Sequence, residues 1–293
     1  MTRENGPSHA PLRTWLITGA SSGLGHALAE CVLRHGDQVV LTAPTLSGME
    51  ALAARYPRSA LALELDVTDP LQRIDAVDRA LAHFGAIDVL VNNAAIDFLG
   101  AVEEQREDDY RAQFEVNFFG AVGMIRLVLP GMRKRRSGTI VNVSSMDGLA
   151  SLPANGYYSS SKFALEGLTE ALWQEIEPLG LRAFLAEPGS VRTGIEHRTT
   201  FSGHPIDDYA ASSGAFRELL AKLTPEMFPG DPVRVAAALR EEVLTPSGRH
   251  WIVMGSDAQR RIQTKLSMLL AELEAGRAMA GRTDYPGSGP AVL

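Results

Sequence analysis

Cysteine is almost missing: Cys31 is the single one in 293 residues, which excludes an internal disulfide and any cysteine-rich metal site. Cys31 itself reads as a small apolar residue inside a helix. Long apolar runs are missing too. None approaches the roughly 20 residues of a membrane-crossing helix, so no membrane partner is expected. The opening MTRENGPSHAPLR has no apolar core of the signal-peptide kind; residues 1–11 read as a disordered tail, and a cytoplasmic protein is the expectation. Positive charge is in deficit, with 28 Lys and Arg against 35 Asp and Glu and a net charge of −7. That balance counts against a nucleic-acid partner. The one basic cluster, Arg133 to Arg136, falls at the end of a helical pattern and complements its dipole.

What is present is ordinary globular material, 45% hydrophobic and 22% charged, in a chain long enough to bury a large core. TWLIT (Thr14–Thr18) reads as a strand running into a glycine turn, GASSGLG, and then a helix closed by Gly36. Strand, glycine turn and helix cradle phosphate: free backbone N–H groups and the helix dipole point at the anion. QVVL at 38–41, LALELD at 61–66, IDVLVNNAA at 87–95, TIVNVSS at 139–145, LRAFLAEPG at 181–189 and RHWIVMG at 249–255 supply further strands. Helical patterns alternate with them, at 48–55, 70–84, 108–130 (broken or kinked near Asn117), after Tyr158, at 232–244 and at 256–277. The order predicts an α/β fold, one Rossmann-type doubly wound parallel sheet of about seven strands with helices on both faces. The core spans 12–255, with a C-terminal helix and disordered end over 256–293. Residues 194–232 break the alternation and read as a substrate lid, because so long an irregular stretch in a compact domain is usually functional.

Two strand ends carry open alternatives. Asp66 either accepts from an adenine amino group or starts a turn; Asn93 either lines a cofactor cleft or makes a turn. Asn117, within an apolar helix, requires a specific hydrogen-bonding partner. Tyr158 and Lys162 stand four apart on one helix face, where an ammonium stabilises a phenolate and makes an acid/base that works nearer neutrality. Ser145 is delivered to the sheet edge by the strand before them.

Taken together, TGASSGLG at 18–25, NNAA at 92–95, Asn117, Ser145, YSSSK at 158–162 and PGSVRT at 188–193 resemble the short-chain dehydrogenase/reductase family. Within it the chain looks most like bacterial members akin to 17β-hydroxysteroid dehydrogenase. Asn117 lies 41 residues before Tyr158, Ser145 lies 13 before it and Lys162 four after. The resemblance implies a catalytic tetrad. Tyr158 is the acid/base, Ser145 holds the substrate oxygen, Lys162 binds the nicotinamide ribose and lowers the pKa of Tyr158, and Asn117 supports a proton-relay water. It also implies a nicotinamide cofactor held by Gly19, Ser21, Ser22, Gly23, Leu24, Gly25, Asp66, Val67, Asn93, Ala94, Pro188, Gly189, Val191 and Thr193, along with Tyr158 and Lys162. The implied partners are a small carbonyl or alcohol substrate and a second copy of the chain, as homodimer or homotetramer, through the long helices at 108–130 and 158–179.

Three features depart from the family pattern. Ala95 stands where glycine is usual, Ser22 carries no charge, and Ala43-Pro44 replaces the acidic residue or arginine that declares the cofactor. Thr42, Thr45 and Ser47 remain as hydroxyl donors, so NADP(H) is favoured over NAD(H) with weak discrimination. Asp97, Met146, Asp147 and Leu152, with Phe98, suggest an apolar pocket with an acidic rim, against the alternative of two solvated turn aspartates. The rival functions are a nucleotide-sensing protein that has lost its chemistry and a sugar-nucleotide epimerase or dehydratase. All four tetrad members are present, which favours an enzyme; the glycine spacing disfavours the epimerase.

Overall fold

The structure is a computed structural model that describes residues 12–194 and 199–289. The expected tail at 1–11, the last residues 290–293 and lid residues 195–198 lie outside the described residues. The elements in chain order are β1 (Thr14–Thr18), α1 (Gly23–Arg34), β2 (Gln38–Ala43), α2 (Glu50–Arg55), β3 (Ala60–Glu64), α3 (Pro70–Phe84), β4 (Val89–Asn92) and β5 (Phe98–Leu99). Then come α4 (Glu107–Phe114), a π-helical turn (Glu115–Gly120), α5 (Ala121–Arg135), β6 (Thr139–Val143), α6 (Gly156–Ile176), β7 (Arg182–Pro188) and β8 (Thr200–Phe201). The chain ends in α7 (Ala215–Ala221), α8 (Pro232–Leu244), β9 (Trp251–Met254) and α9 (Ser256–Gly281).

Seven strands pair in parallel in the order β3-β2-β1-β4-β6-β7-β9. The order reverses between β1 and β4, and in such sheets ligands bind at the carboxyl ends of the two strands flanking that switch. Both faces are covered because the strands are apolar on both sides. Trp15, Ile17, Val39, Leu41 and Val91 meet α1 and α8 on one face. Leu16, Val40, Leu90, Ile140 and Leu185 meet α3, α5 and α6 on the other. Capping is explicit in α3, where Asp69 accepts from the Leu71 and Gln72 amides, Pro70 opens the helix and Gly85 closes it in the left-handed region.

The structure differs from the sequence expectation in three details. The helix expected at 108–130 runs from Glu107 to Arg135 and passes through the π turn without breaking. It is long and apolar enough to cross a membrane by length and composition, yet in the fold it packs against α3, β4 and α6. The third strand stops at Glu64, since Asp66 begins a turn whose Oδ1 accepts from both Thr68 groups. The lid region is also more ordered than its composition suggests. β8 pairs in parallel with β5, and Ser202 donates to Asp109 at 2.7 Å and accepts from the Arg106 amide at 2.9 Å. The Ile206 amide reaches Glu104 at 2.9 Å, and the Arg217 guanidinium covers the Phe201 ring at 4.4 Å.

Candidate active site

The glycine turn after β1 is shaped from β4. Gly19 and Gly23 adopt φ of 67° and 59°, which favours residues without a Cβ. A Cβ on Gly25 would come within 2.5 Å of Asn93 Nδ2 and of the Gly19 carbonyl. Asn93 donates through Nδ2 to the carbonyls of Thr18 (2.9 Å) and Gly19 (3.1 Å). The Thr18 hydroxyl accepts from the Asn93 and Ala94 amides at 3.0 Å. Asn93 is therefore a turn-shaping residue at the rim of the cleft. Thr18 carries as much of the geometry, and the sequence reading passed over it. Ser21, Ser22 and Leu24 surround the start of α1, whose first turn holds no acidic residue. The N-terminal partial positive charge of that helix is left for an anion.

Around this turn the other expected cofactor residues fall at strand ends. Asp66 and Val67 follow β3; Asp66 is occupied by Thr68, and Val67 is buried where a Cβ on Gly120 would meet its side chain at 2.7 Å. Pro188 and Gly189 end β7. The Ser190 amide donates to Asp257 at 2.8 Å, and a Cβ on Gly189 would stand 2.2 Å from Asp257 Oδ1. Val191 bridges to Gly230, and the Thr193 amide donates back to Val191. At the end of β2, Ala43 is buried while Pro44, Thr45 and Ser47 are exposed. Thr42 is fully buried and its hydroxyl donates to the Ile17 carbonyl at 3.1 Å. That corrects one expectation: Thr42 serves the sheet and has no free hydroxyl for a phosphate.

Ser145, Tyr158 and Lys162 come together at the carboxyl end of β6. Ser145 is the cap of the turn Met146–Gly148, its hydroxyl accepting from the Asp147 amide at 3.1 Å and donating to Asp147 Oδ2 at 3.3 Å. Tyr158 lies close enough to Ser145 for the serine hydroxyl to lower its proton affinity. Lys162 is buried; its Nζ donates to the Val143 carbonyl at 2.9 Å and stands 5.8 Å from the centre of the Tyr158 ring. Asn117 sits in the π turn, where the widened helix lets its amide pair with both backbone groups of Ile96 (2.9 and 3.0 Å) and donate to Ser161 at 3.1 Å. The partner that its burial demanded is thus the loop after β4. Tyr157 points elsewhere, donating to the Val102 carbonyl and stacking on Tyr110 at 4.3 Å.

The electrostatics run against the expectation for the tyrosine. Burial, followed by the charges of Asp97 and Asp147, pushes the Tyr158 hydroxyl above its usual range, and the Ser145 contact offsets only part of this. Burial lowers Lys162 to about 8, opposed by Glu166 and then Asp97. Asp97 is raised to about 7 by burial and by Asp147. The protein alone therefore holds Tyr158 as a neutral hydroxyl.

The acidic rim also changes. Arg261 on α9 binds Asp147 Oδ1 and the Ala150 carbonyl, so Asp147 is paired rather than offered to a ligand. Asp97 keeps a buried Oδ1 with no partner among the described residues, while Thr199 approaches its other oxygen at 3.4 Å. Met146 is half-buried and Leu152 is exposed. Arg261 was missed because nothing in the sequence of α9 distinguishes it from its neighbour Arg260. Among the described residues no His, Cys, Asp or Glu cluster suits a metal ion.

Known proteins share this fold. The family model for short chain dehydrogenase matches residues 13–202. An oxidoreductase from Botryotinia fuckeliana is 33% identical over 92% of this chain and 98% of its own. A 3-alpha-(or 20-beta)-hydroxysteroid dehydrogenase from Mycobacterium bovis is 35% identical over 61% of this chain and 68% of its own. A short-chain dehydrogenase structure from Streptomyces avermitilis superposes with a TM-score of 0.88 at 37% identity, covering 94% of this chain and all of that one (100%). At 24% identity and a TM-score of 0.72, a short-chain dehydrogenase/reductase from Burkholderia phymatum in complex with NAD shares the fold over 96% of this chain and 98% of its own. With its glycine turn at the switch of the sheet, and with relatives matching almost end to end, the chain belongs to the short-chain dehydrogenase family and is an oxidoreductase of that family.

Proposed function

We propose that the protein interconverts a ketone or aldehyde and an alcohol with NAD(P)(H), using Tyr158, Ser145, Lys162 and Asn117. The observation that carries this reading is the meeting of a neutral Tyr158 hydroxyl with Ser145, backed by the buried ammonium of Lys162. The residues present fit a dinucleotide. The start of α1 has no acidic side chain in its first turn, and its glycine turn has two residues in the left-handed region. Gly19, Ser21, Ser22, Gly23, Leu24 and Gly25 would hold the pyrophosphate, Val67 and the second carboxylate oxygen of Asp66, whose Oδ1 is taken by Thr68, the adenine side, and Asn93, Ala94, Pro188, Gly189, Val191 and Thr193 the nicotinamide side.

A bound nicotinamide supplies or accepts the hydride. The chain's own part is position and proton handling. In reduction Ser145 donates to the carbonyl oxygen and Tyr158 gives it a proton; in oxidation Tyr158 takes that proton from the alcohol. The raised proton affinity of Tyr158 keeps its hydroxyl protonated near neutrality, which is the form that serves in reduction. Lys162 stabilises the tyrosinate left behind and binds the ribose, and Asn117 fixes the loop after β4 beside it.

For the cofactor, neutral Thr45 and Ser47 would face a 2′-phosphate with no arginine within residues 43–47 to grip it and with Glu64 paired to Ala43 on the neighbouring strand, so NADP(H) is favoured only with weak discrimination. For the substrate, Asp97 has no ion-pair partner among the described residues whereas Asp147 is paired with Arg261, so a carbonyl compound that also bears a hydroxyl or amine is favoured. The active form is a homodimer or homotetramer. A spectrophotometric assay of NADPH and NADH consumption over apolar, hydroxylated and amino ketones tests the reading. Consumption that depends on ketone and vanishes in Tyr158→Phe supports it; none with any carbonyl overturns it.

A further inference from the structure

Two carboxyl groups lie buried directly behind the candidate site. Glu166 is one helical turn beyond Lys162 on α6, and Glu187 is on β7, immediately before the Pro188-Gly189 loop. Glu187 is 0% and Glu166 6% exposed. They lie close enough that the charge of Glu166 raises the proton affinity of Glu187. Ser144 and Trp251 lie against Glu166, yet all four carboxyl oxygens lack a well-aligned donor among the described residues, and so does the Ser144 hydroxyl. The turn after Ser145 closes over Glu166. A Cβ on Gly148 would stand 2.4 Å from Ser144 Oγ and 2.9 Å from Glu166 Oε1.

Two ionised carboxylates offer only acceptors. Facing each other in the interior they would leave four unmet acceptor oxygens and two like charges, which an interior does not tolerate. One proton placed between them resolves both problems: the neutral acid donates to the anion, and one negative charge remains. Of the groups around the pair, Ser144 and Gly148 come from the β6 end and Trp251 from β9, and none is charged. From α6 comes Lys162, whose charge acts on Glu166. Asp97 acts on Lys162 from the loop after β4, and Glu166 is the stronger of the two charges opposing the loss of that lysine's proton.

We propose that Glu166 and Glu187 share one proton and that the single charge they retain keeps Lys162 an ammonium, making them positioning residues for the hydride-transfer site. This rests on the reading of Lys162 given above. The two glutamates then have unequal parts. Glu166 carries the charge that Lys162 feels, and Glu187 holds the proton that makes that charge tolerable in the interior. Replacing one is not equivalent to replacing the other.

The test is infrared difference spectroscopy on the full-length protein with isotopically labelled glutamate, titrated from pH 6 to 9, joined to the pH profile of kcat/KM for ketone reduction. The expected spectrum at pH 7 contains the carbonyl band of a protonated, buried glutamic acid, lost in both Glu166→Gln and Glu187→Gln. In Glu166→Gln the alkaline limb of the kcat/KM profile moves down by about one pH unit, so that kcat/KM at the wild-type midpoint falls roughly fivefold and recovers at pH 6. In Glu187→Gln the limb stays or moves upward, because Glu166 remains as the anion with an amide donor beside it. No protonated band in the wild type, or equal displacement of the limb in both variants, overturns the proposal. The wild-type band needs no variant to fold and no turnover. A protein that shows the band but consumes no NAD(P)H would refute the functional reading and leave the carboxyl pair standing.

Discussion

Arg261 reaches from the C-terminal helix to the carboxylate of Asp147, two residues beyond Ser145, and also binds the carbonyl of Ala150. Both side chains of the pair are mostly buried. The helix that follows the last strand is thereby fastened to the turn that holds the candidate serine. Arg261→Met would leave Asp147 partly buried without its counter-charge, which costs about 2–3 kcal/mol once screening at this partly exposed site is allowed for. Released, Asp147 draws on the Ser145 hydroxyl and adds negative potential at Tyr158. Reduced thermal stability together with lowered kcat is the expected outcome, with Arg261→Met/Asp147→Asn recovering stability. Additive losses in that double variant would show that the pair is not energetically linked.

Tyr158→Phe should lower kcat by roughly 10² to 10⁴, the usual worth of a positioned acid–base group, while cofactor affinity measured by fluorescence titration changes little. Tyr157→Phe removes a hydrogen bond to the Val102 carbonyl and should cost stability alone, about 1 kcal/mol. Activity lost in Tyr157→Phe and kept in Tyr158→Phe would reverse the assignment.

The sequence carried the frame and the glycine turn, because strand, turn and helix follow local patterns that survive folding. The Tyr158–Lys162 pair was legible for the same reason. What it hid was set by contacts distant in the chain. Asn93 and Thr18 are 75 residues apart in the sequence, and Arg261 meets Asp147 across 114. Asp147 read as a rim acid because a turn aspartate shows no sign of a partner on a remote helix. Glu166 and Glu187 carry no local pattern that sets them apart from surface glutamates, although both are buried. The proton affinity of Tyr158 went the other way because it depends on burial and on two carboxylates from separate loops.

Stability should depend on pH through the buried glutamates. Burial pushes both carboxyls above their ordinary range, and Glu187 is raised further by the charge of Glu166. Between the ordinary carboxylate range and neutrality the folded state thus binds more protons than the unfolded one, and stability falls as pH rises. Lys162, lowered to about 8, works in the opposite sense, but only above pH 8. Denaturant midpoints measured at pH 5.5 and 7.5 should therefore differ more in the wild type than in Glu187→Gln. An equal drop in both proteins would remove these groups from the pH dependence.

Cofactor choice rests on the end of β2, where Pro44 is exposed and Ala43 is buried. A neutral phosphate site is expected to separate NADP(H) from NAD(H) by roughly tenfold in kcat/KM, about 1.4 kcal/mol. Pro44→Arg should move the ratio further toward NADP(H) by supplying a guanidinium. A thousandfold preference in the unaltered protein, either way, would mean that a charged group reaches the site from elsewhere.

Assembly should run through the face that α4, the π turn and α6 share. Phe119 is 49% and Phe163 43% exposed there, beside a groove of about 430 Å³ lined by Tyr110, Phe114, Phe119 and Tyr157. Light scattering at micromolar concentration should give a dimer or tetramer, and Phe119→Asp/Phe163→Asp should reduce its mass. A monomeric parent protein would refute this.

The bridge from Asn93 to the Thr18 and Gly19 carbonyls means that the phosphate-binding turn is rigid before any dinucleotide arrives. Little backbone freedom is then left to lose on capture, so association should proceed by docking into a standing mould rather than by folding of the loop around its guest. Asn93→Ala would transfer that ordering to the moment of encounter. Its signature in calorimetry would be a less favourable binding entropy, with the glycine amides exchanging their hydrogens faster in the free protein and only after binding becoming as protected as in the parent.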